Sequence, residues 1–222
     1  MNAQRSSRLH GTPSRKEAWA WYVLLVAATL AVPIITARAN SGDFEAGNVV
    51  VFKHPTQNAV YVSRLIGIPR DTIQLKQGLV HLNGNPVLQS ENGIFEEVLT
   101  GQGSVGNSPQ CANDAAHADE ICMKEQFIET LSNGSAYSIL NFRASLLDNA
   151  PEFALPEGRY FVMGDNRGNS LDSRMPPKNG GVGFVPGGHI ISHANRVIFS
   201  SVGSSLAFFW TWRSDRYLKA IQ

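Results

Sequence analysis

The feature that most constrains this chain is a polar run of eleven residues, 164–174, which reads Gly-Asp-Asn-Arg-Gly-Asn-Ser-Leu-Asp-Ser-Arg. Glycine, asparagine and aspartate tolerate unusual backbone angles and bond to nearby backbone groups. The run therefore predicts a tightly wound loop, not a helix or a strand. Arg167, Asp172 and Arg174 could form charge pairs within such a loop. Their pairing would hold Ser170 in place, so we expect a functional site here.

The segments before this run predict antiparallel strands. Apolar and polar residues alternate in residues 61–75 and again in 79–87. The second segment contains Asn83-Gly84, a dipeptide typical of tight hairpin turns. The second half of the chain is expected to return to the same sheet, with a last strand at Val197 to Phe199. The predicted fold class is mainly β.

A charge-free segment near the start predicts a membrane anchor. Residues 18–37 are twenty residues without a charge, and as a helix they would span about 30 Å, enough to cross a bilayer. Four basic residues precede them, so the N-terminus is expected in the cytoplasm and the rest outside. The alternative is a cleavable signal peptide, because Ala37-Arg38-Ala39 has the small-x-small form of a cleavage site.

Composition excludes several other classes of protein. The net charge of +1 and the lack of a Lys/Arg stripe give no support for nucleic-acid binding. The six histidines are scattered, and the closest pair, His189 and His193, has no third ligand near it in the sequence. We read these two as surface histidines and predict no metal and no cofactor.

The polar run closely resembles the signature of type I signal peptidases (leader peptidases, serine peptidase family S26), which is Gly-Asp-Asn-Arg-x-Asn-Ser-x-Asp-Ser-Arg. Every specified position is filled, by Gly164, Asp165, Asn166, Arg167, Asn169, Ser170, Asp172, Ser173 and Arg174. Six other segments resemble the family in the family's order: 49–55, 61–75, 79–87, 127–140, 155–163 and 182–186. The resemblance implies a membrane-bound relative of the serine proteases that remove signal peptides.

The resemblance also implies a domain organisation. It predicts a signal-peptidase-like antiparallel β-sheet core with an inserted smaller domain, preceded by one N-terminal transmembrane helix. The expected parts are a cytoplasmic tail at 1–17, the anchor at 18–37, the core at 38–88 and 155–201, the inserted domain at 89–154 and an apolar and basic segment at 202–222. That last segment could cover the core or lie at the membrane surface.

Both catalytic residues of the family are missing from their expected places. The family's general base is the Lys of a Tyr-Ile-Lys-Arg strand, and here Tyr61-Val62-Ser63-Arg64 puts Ser63 at that position. A hydroxyl cannot replace a neutral amine as a base. The family's nucleophile lies in a Ser-Met-x-Pro box after the anchor, and the thirteen residues 36–48 contain no such box. Ser41 is a weak nucleophile candidate, and a linker serine is the simpler reading.

The remaining loop residues have structural roles in the family. By resemblance, Ser170 would hold the catalytic lysine that this chain lacks, while Asp172 and Arg174 would brace the loop by pairing. The retained loop could then serve folding.

Cys111 and Cys122 would lie in an oxidising compartment if the anchor prediction is right, within a polar, loop-rich segment. Some family members carry a disulfide in the corresponding region, and two free thiols are the alternative. A disulfide here would stabilise the fold by roughly 3 kcal/mol.

Three functional hypotheses remain open. The first is a signal-peptidase-family protein of the plasma (inner) membrane, single-pass with its main domain periplasmic, that no longer cleaves. It would bind signal peptides or extended peptides of secretory preproteins, with membrane lipid as its other partner. The second is an active signal peptidase that uses non-standard residues. The third is a sequence deletion that removed the serine box, which would not explain Ser63.

Overall fold

The computed structural model describes residues 44–99, 110–113, 117, 119–141 and 145–194, and the backbone of 196–197 and 219–220. The predicted anchor at 18–37, Ser41 and the C-terminal apolar stretch at 202–212 lie outside the described residues. Within the described ranges, no helix has the length and apolar character needed to cross a bilayer.

The described residues are organised as short strands and four 3-10 turns. The strands are β1 Val49–Lys53, β2 Val60–Gly67, β3 Thr72–Lys76, β4 Leu79–Leu82, β5 Asn85–Pro86, β6 Leu88–Val98, β7 Ile121–Thr130, β8 Ala136–Asn141, β9 Ala150–Ala154, β10 Arg159–Met163, β11 Val185–Pro186, β12 Ile190–Ala194, β13 Arg196–Val197 and β14 Lys219–Ala220. The 3-10 turns are Leu146–Asp148, Arg167–Asn169, Pro177–Asn179 and Gly187–His189. The prediction of a mainly β fold is confirmed.

A central sheet of five strands has the order β11-β10-β2-β1-β12, and its neighbouring strands pair antiparallel. Strand β2 lies in the middle because β1 and β10 pair with its two edges. The second half of the chain, through β10, β11 and β12, thus joins strands of the first half, as the sequence predicted. Strand β13 is not the last strand of the chain, because β14 follows it and pairs with it.

Besides the β13-β14 pair, two antiparallel sheets of four and three strands accompany the central one. The first has the order β5-β4-β3-β9, and its β4–β5 connection is a tight turn in which Asn83 and Gly84 both have positive φ, at 53° and 79°. The second is the three-stranded sheet β6-β7-β8. Strand β9, which lies within the predicted inserted segment, pairs with β3. The boundaries of an inserted domain stay a prediction.

At β10 the central sheet is buried on both faces, which explains why this strand is apolar almost throughout. Strand β10 shows this directly, because Tyr160 and Val162 belong to one apolar cluster while Phe161 and Met163 belong to another. The second cluster also contains buried residues of the two smaller sheets, such as Ile73 and Tyr137. The clusters therefore fix β2 and β10, the two strands next to the polar loop at 164–174.

Candidate functional site

The polar loop begins where β10 ends and is held by side-chain bonds to its own backbone. The carboxylate of Asp172, which is fully buried, accepts from the backbone N–H of Gly164 at 3.1 Å. The same carboxylate forms a two-bond ion pair with the guanidinium of Arg174, with both contacts at 2.8 Å. Arg174 Nη2 also donates to the carbonyl of Arg167 at 2.6 Å. Asp172 and Arg174 thus link the two ends and the middle of the loop.

Ser173 ties the loop to strand β10. Its hydroxyl accepts from the backbone N–H of Val162 at 2.9 Å and donates to the carbonyl of Gly183 at 2.6 Å. Both bonds involve backbone groups, so they hold the chain path and not a side chain. The loop is therefore attached to the sheet on one side and to residues 182–183 on the other.

Arg167 binds outside the loop, to strand β7. Its guanidinium forms two bonds with the carboxylate of Glu129, one of them Nη1 to Oε1 at 2.7 Å and the other Nη2 to Oε2. Arg167 is 6% exposed and Glu129 is fully buried. Burial acts to lower the pKa of Arg167, but the charge and hydrogen bonds of Glu129, together with Tyr137 and Asp165, outweigh it, so the pKa of Arg167 is raised. Arg167 therefore takes Glu129, and not Asp172, as its ion-pair partner.

A second ion pair joins the loop to strand β2. Arg64 donates from Nε and Nη2 to the two carboxylate oxygens of Asp165, each at 2.8 Å, and from Nη1 to the carbonyl of Gly47 at 2.8 Å. Its guanidinium carbon lies 4.1 Å from the ring centroid of Tyr137 on β8. The pKa of Tyr137 is raised, first by burial and then by the neighbouring carboxylate of Glu129.

Ser63, which the sequence predicts at the family's general-base position, lies on β2 opposite Val50. Arg64 pairs with Met163, so continuing this antiparallel register by one residue places Gly164 opposite Ser63. Ser170 lies over Gly164, since a Cβ added there would be 1.9 Å from Ser170 Oγ. The Ser170 hydroxyl donates to the carbonyl of Asn166 at 2.7 Å. Ser170 is thus in close contact with Gly164, and the extended register predicts that Ser63 lies beside Gly164.

The other predicted residues divide into two groups. Asn166 and Asn169 shape the 3-10 turn of the loop, where the Asn169 N–H donates to the Asn166 carbonyl at 3.1 Å. Cys111 and Cys122 are joined by a disulfide, at a distance from the loop along the chain. Within the described residues, no group of three or more His, Cys, Asp or Glu side chains could hold a metal ion.

Sequence reasoning missed three residues that contact this loop or its partners. Arg64, Glu129 and Tyr137 are all buried, and they come from β2, β7 and β8. Arg64 could have been found from the sequence, because a charged residue inside an apolar strand needs a partner when it is buried. Glu129 and Tyr137 gave no comparable signal.

The family described as "Signal peptidase, peptidase S26" matches residues 21–199. A signal peptidase I of Rickettsia conorii is 31% identical over 181 residues, which are 77% of this chain and 57% of that protein. A signal peptidase I of Rickettsia typhi is 32% identical over 181 residues, 77% of this chain and 58% of that protein. This chain thus spans less than two thirds of the length of these relatives.

Among solved structures, a signal peptidase I of Enterococcus faecalis V583 is 19% identical, with coverage of 68% of this chain and 97% of that one and a TM-score of 0.35. A score of that size does not establish a shared fold, so family membership depends on the sequence match. That match covers most of the chain and includes the signature loop described above. The chain belongs to the signal peptidase family, peptidase S26.

Proposed function

We propose that this protein is a membrane-tethered member of the signal peptidase family that binds extended segments of secretory preproteins but does not cleave them by serine–lysine chemistry. The observation that carries the proposal is Ser63, which has a hydroxyl where the family has its general base. The neutral hydroxyl of serine is too weak a base to take a proton from a second hydroxyl, whereas the neutral amine of a buried lysine can do so because burial lowers the lysine pKa. The register that puts Ser63 beside Gly164 and Ser170 supports the assignment of that position.

The proposed location is the plasma (inner) membrane, with the anchor at 18–37, the N-terminus in the cytoplasm and the main domain outside. The distribution of basic residues supports this orientation. The disulfide between Cys111 and Cys122 supports it independently, because disulfides persist in oxidising compartments. The proposed partners are signal peptides or other extended peptides of preproteins, and membrane lipid.

The second candidate is an active signal peptidase with non-standard catalytic residues. The observation that favours it is the intact loop, in which the side chains of Asp172, Ser173 and Arg174 are bonded and buried. Ser41 would then be the nucleophile. A folding role for the same loop accounts for these bonds without catalysis, so we place this candidate second.

One experiment separates the two candidates. The full chain in detergent is incubated with a labelled preprotein, beside a no-enzyme control, an active signal peptidase and the Ser41→Ala variant. We expect no mature product from this chain while the active enzyme produces it. Cleavage that is lost in Ser41→Ala would establish a serine mechanism and overturn the proposal.

Binding is measured separately, because a protein that neither cleaves nor binds would not fit the proposal either. Fluorescence anisotropy with a labelled signal-peptide segment reports binding by the full chain. A saturable rise in anisotropy is expected, and it should be competed by unlabelled peptide. No binding of any signal-peptide segment, under conditions in which the active relative binds, would remove the peptide-binding hypothesis.

A further inference from the structure

Strands β6 and β7 extend as a two-stranded ribbon, which we call the arm and define as residues 94–98 and 121–125. Three directly opposed pairs show which side chains share a face: Val98 with Ile121, Glu96 with Met123, and Ile94 with Glu125. All six of these side chains are exposed. The alternate residues of the two strands form the opposite face.

That opposite face is covered. Cys122 is fully buried and joined to Cys111, and the segment after Cys111 runs along the edge of β7. There Ala112 N–H donates to the Met123 carbonyl at 2.7 Å, and the Met123 N–H donates to Asn113 Oδ1 at 2.9 Å. The disulfide and these bonds fix the segment against the arm.

The covered face contains an ion pair. Lys124 is 1% exposed, and its ammonium donates to a carboxylate oxygen of Glu97, which is 16% exposed. Removing charges from water costs free energy unless they are paired. The covered face of the arm therefore contains two charged side chains that pair with each other.

The exposed face of the arm, in contrast, consists mainly of apolar side chains. Its four apolar side chains, Ile94, Val98, Ile121 and Met123, are 56%, 47%, 43% and 38% exposed. Single exposed apolar residues are ordinary, but a contiguous cluster with a polar surround is typical of an interaction surface. An arm that needed only to be soluble would have its charges outside and its apolar side chains inside.

Two carboxylates complete the exposed face. Glu96 and Glu125 are diagonal neighbours across the strands, a spacing of roughly 7–8 Å between Cα atoms. In the described part of the chain, neither forms an ion pair or a side-chain hydrogen bond. Two like charges at this spacing repel, and a cation between them would relieve the repulsion.

We propose that the exposed face of the arm is a docking surface for a protein segment that combines apolar side chains with Lys or Arg. The apolar side chains would be buried by the partner, and its cations would pair with Glu96 and Glu125. A second copy of the same face would bring four carboxylates together, which like-charge repulsion disfavours. An anionic lipid surface is disfavoured for the same reason.

The test uses the full chain in detergent and a short fluorescein-labelled peptide that alternates lysine and valine. A matched peptide alternates glutamate and valine. Anisotropy is expected to show binding of the lysine peptide, weakened by salt, and little binding of the glutamate peptide. The variant Glu96→Lys/Glu125→Lys is expected to weaken lysine-peptide binding by about tenfold or more and to gain binding of the glutamate peptide.

Two further variants locate the site. Ile94→Thr/Met123→Thr should lose binding of the lysine peptide, because the apolar contact is removed. Glu152→Lys on β9 changes one exposed carboxylate away from the arm and should leave binding unchanged. Equal affinity of the wild-type chain for both peptides, or binding that survives the charge reversal, would overturn the proposal. Because every substituted side chain is exposed, these variants are expected to fold, and a loss of binding then reports the loss of the contact.

Discussion

The guanidinium of Arg167 and the carboxylate of Glu129 form a two-bond ion pair in which neither side chain is more than 6% exposed. The pair joins the polar loop at 164–174 to strand β7 of the three-stranded sheet. A parallel bridge between Leu140 and Asn166 joins the same loop to β8. The position of the loop therefore depends on the three-stranded sheet as well as on β10.

Replacing one member of this pair should be costly. Glu129→Gln leaves the guanidinium of Arg167 buried without a counter-charge, and we expect the free energy of unfolding to fall by about 3–5 kcal/mol. The double variant Glu129→Leu/Arg167→Met removes both charges and should recover most of that loss. Urea unfolding measures the free energy of unfolding of the wild-type protein, the single variant and the double variant.

The matched control is the exposed pair of Arg70 and Glu157, whose side chains are 82% and 72% exposed. Glu157→Gln should change the free energy of unfolding by less than about 1 kcal/mol. If Glu129→Gln had an effect as small as that of the control, the buried pair would not be holding the loop.

Stability should fall at alkaline pH because of Tyr137. Burial, and then the carboxylate of Glu129, raise the pKa of Tyr137 above the usual value of 10.0. A raised pKa means that the folded protein holds the phenol proton more tightly than the unfolded chain does. The stabilising contribution is thus complete below about pH 10 and is lost progressively as the pH rises beyond it.

Urea unfolding at several values between about pH 8 and pH 11 measures this loss. Tyr137→Phe removes the ionisable group, so its stability should depend less steeply on pH above 10. The dependence should not vanish, because burial also raises the pKa of Tyr160. An unchanged slope in Tyr137→Phe would contradict the assignment.

The strands near the site could be predicted from local pattern. The alternation in residues 61–75 and 79–87 gave β2 to β5, and Asn83-Gly84 gave the turn between β4 and β5. Both signals depend on a few neighbouring residues, so they can be recognised without knowledge of the tertiary structure. The loop at 164–174 was also visible, because its residue types are so specific.

The contacts of that loop were not predictable in the same way. Glu129 is 38 residues from Arg167 in the chain, and no local signal selects one acidic residue of β7 over another. Which face of the arm is exposed was not predictable from the sequence either. Alternation in β6 and β7 divides the side chains between two faces, but it does not show which face is covered. Here Cys122 and Lys124 are buried, so the face with Ile94, Val98, Ile121 and Met123 is the exposed one.

The close approach of Ser170 to Gly164 predicts that only glycine fits at position 164. A Cβ added there would lie 1.9 Å from Ser170 Oγ and 2.5 Å from Ser170 Cβ. Gly164→Ala should therefore lower the free energy of unfolding by about 1–3 kcal/mol. The double variant Gly164→Ala/Ser170→Gly removes the clash and should recover part of the loss, which a double-mutant cycle measures.

Gly188→Ala is the control for this pair of variants. Nothing lies within 4 Å of a Cβ added at Gly188, so its substitution should cost little. If Gly164→Ala were as stable as Gly188→Ala, the contact between Gly164 and Ser170 would be looser than the structure has it.

The variant Ser63→Lys places a lysine on β2 at the position that the sequence predicts for the family's general base. Ser63 is half-buried, so a longer side chain can extend toward solvent, and we expect the variant to fold. We expect no cleavage of a labelled preprotein by the full-length variant between about pH 6 and pH 10. The proposal that the chain lacks the serine box predicts this result, because a base without a nucleophile has no hydroxyl to activate. An active signal peptidase assayed in the same detergent is the positive control. Cleavage by Ser63→Lys that disappears in Ser41→Ala/Ser63→Lys would identify Ser41 as the nucleophile, and only the base would then be missing from this site.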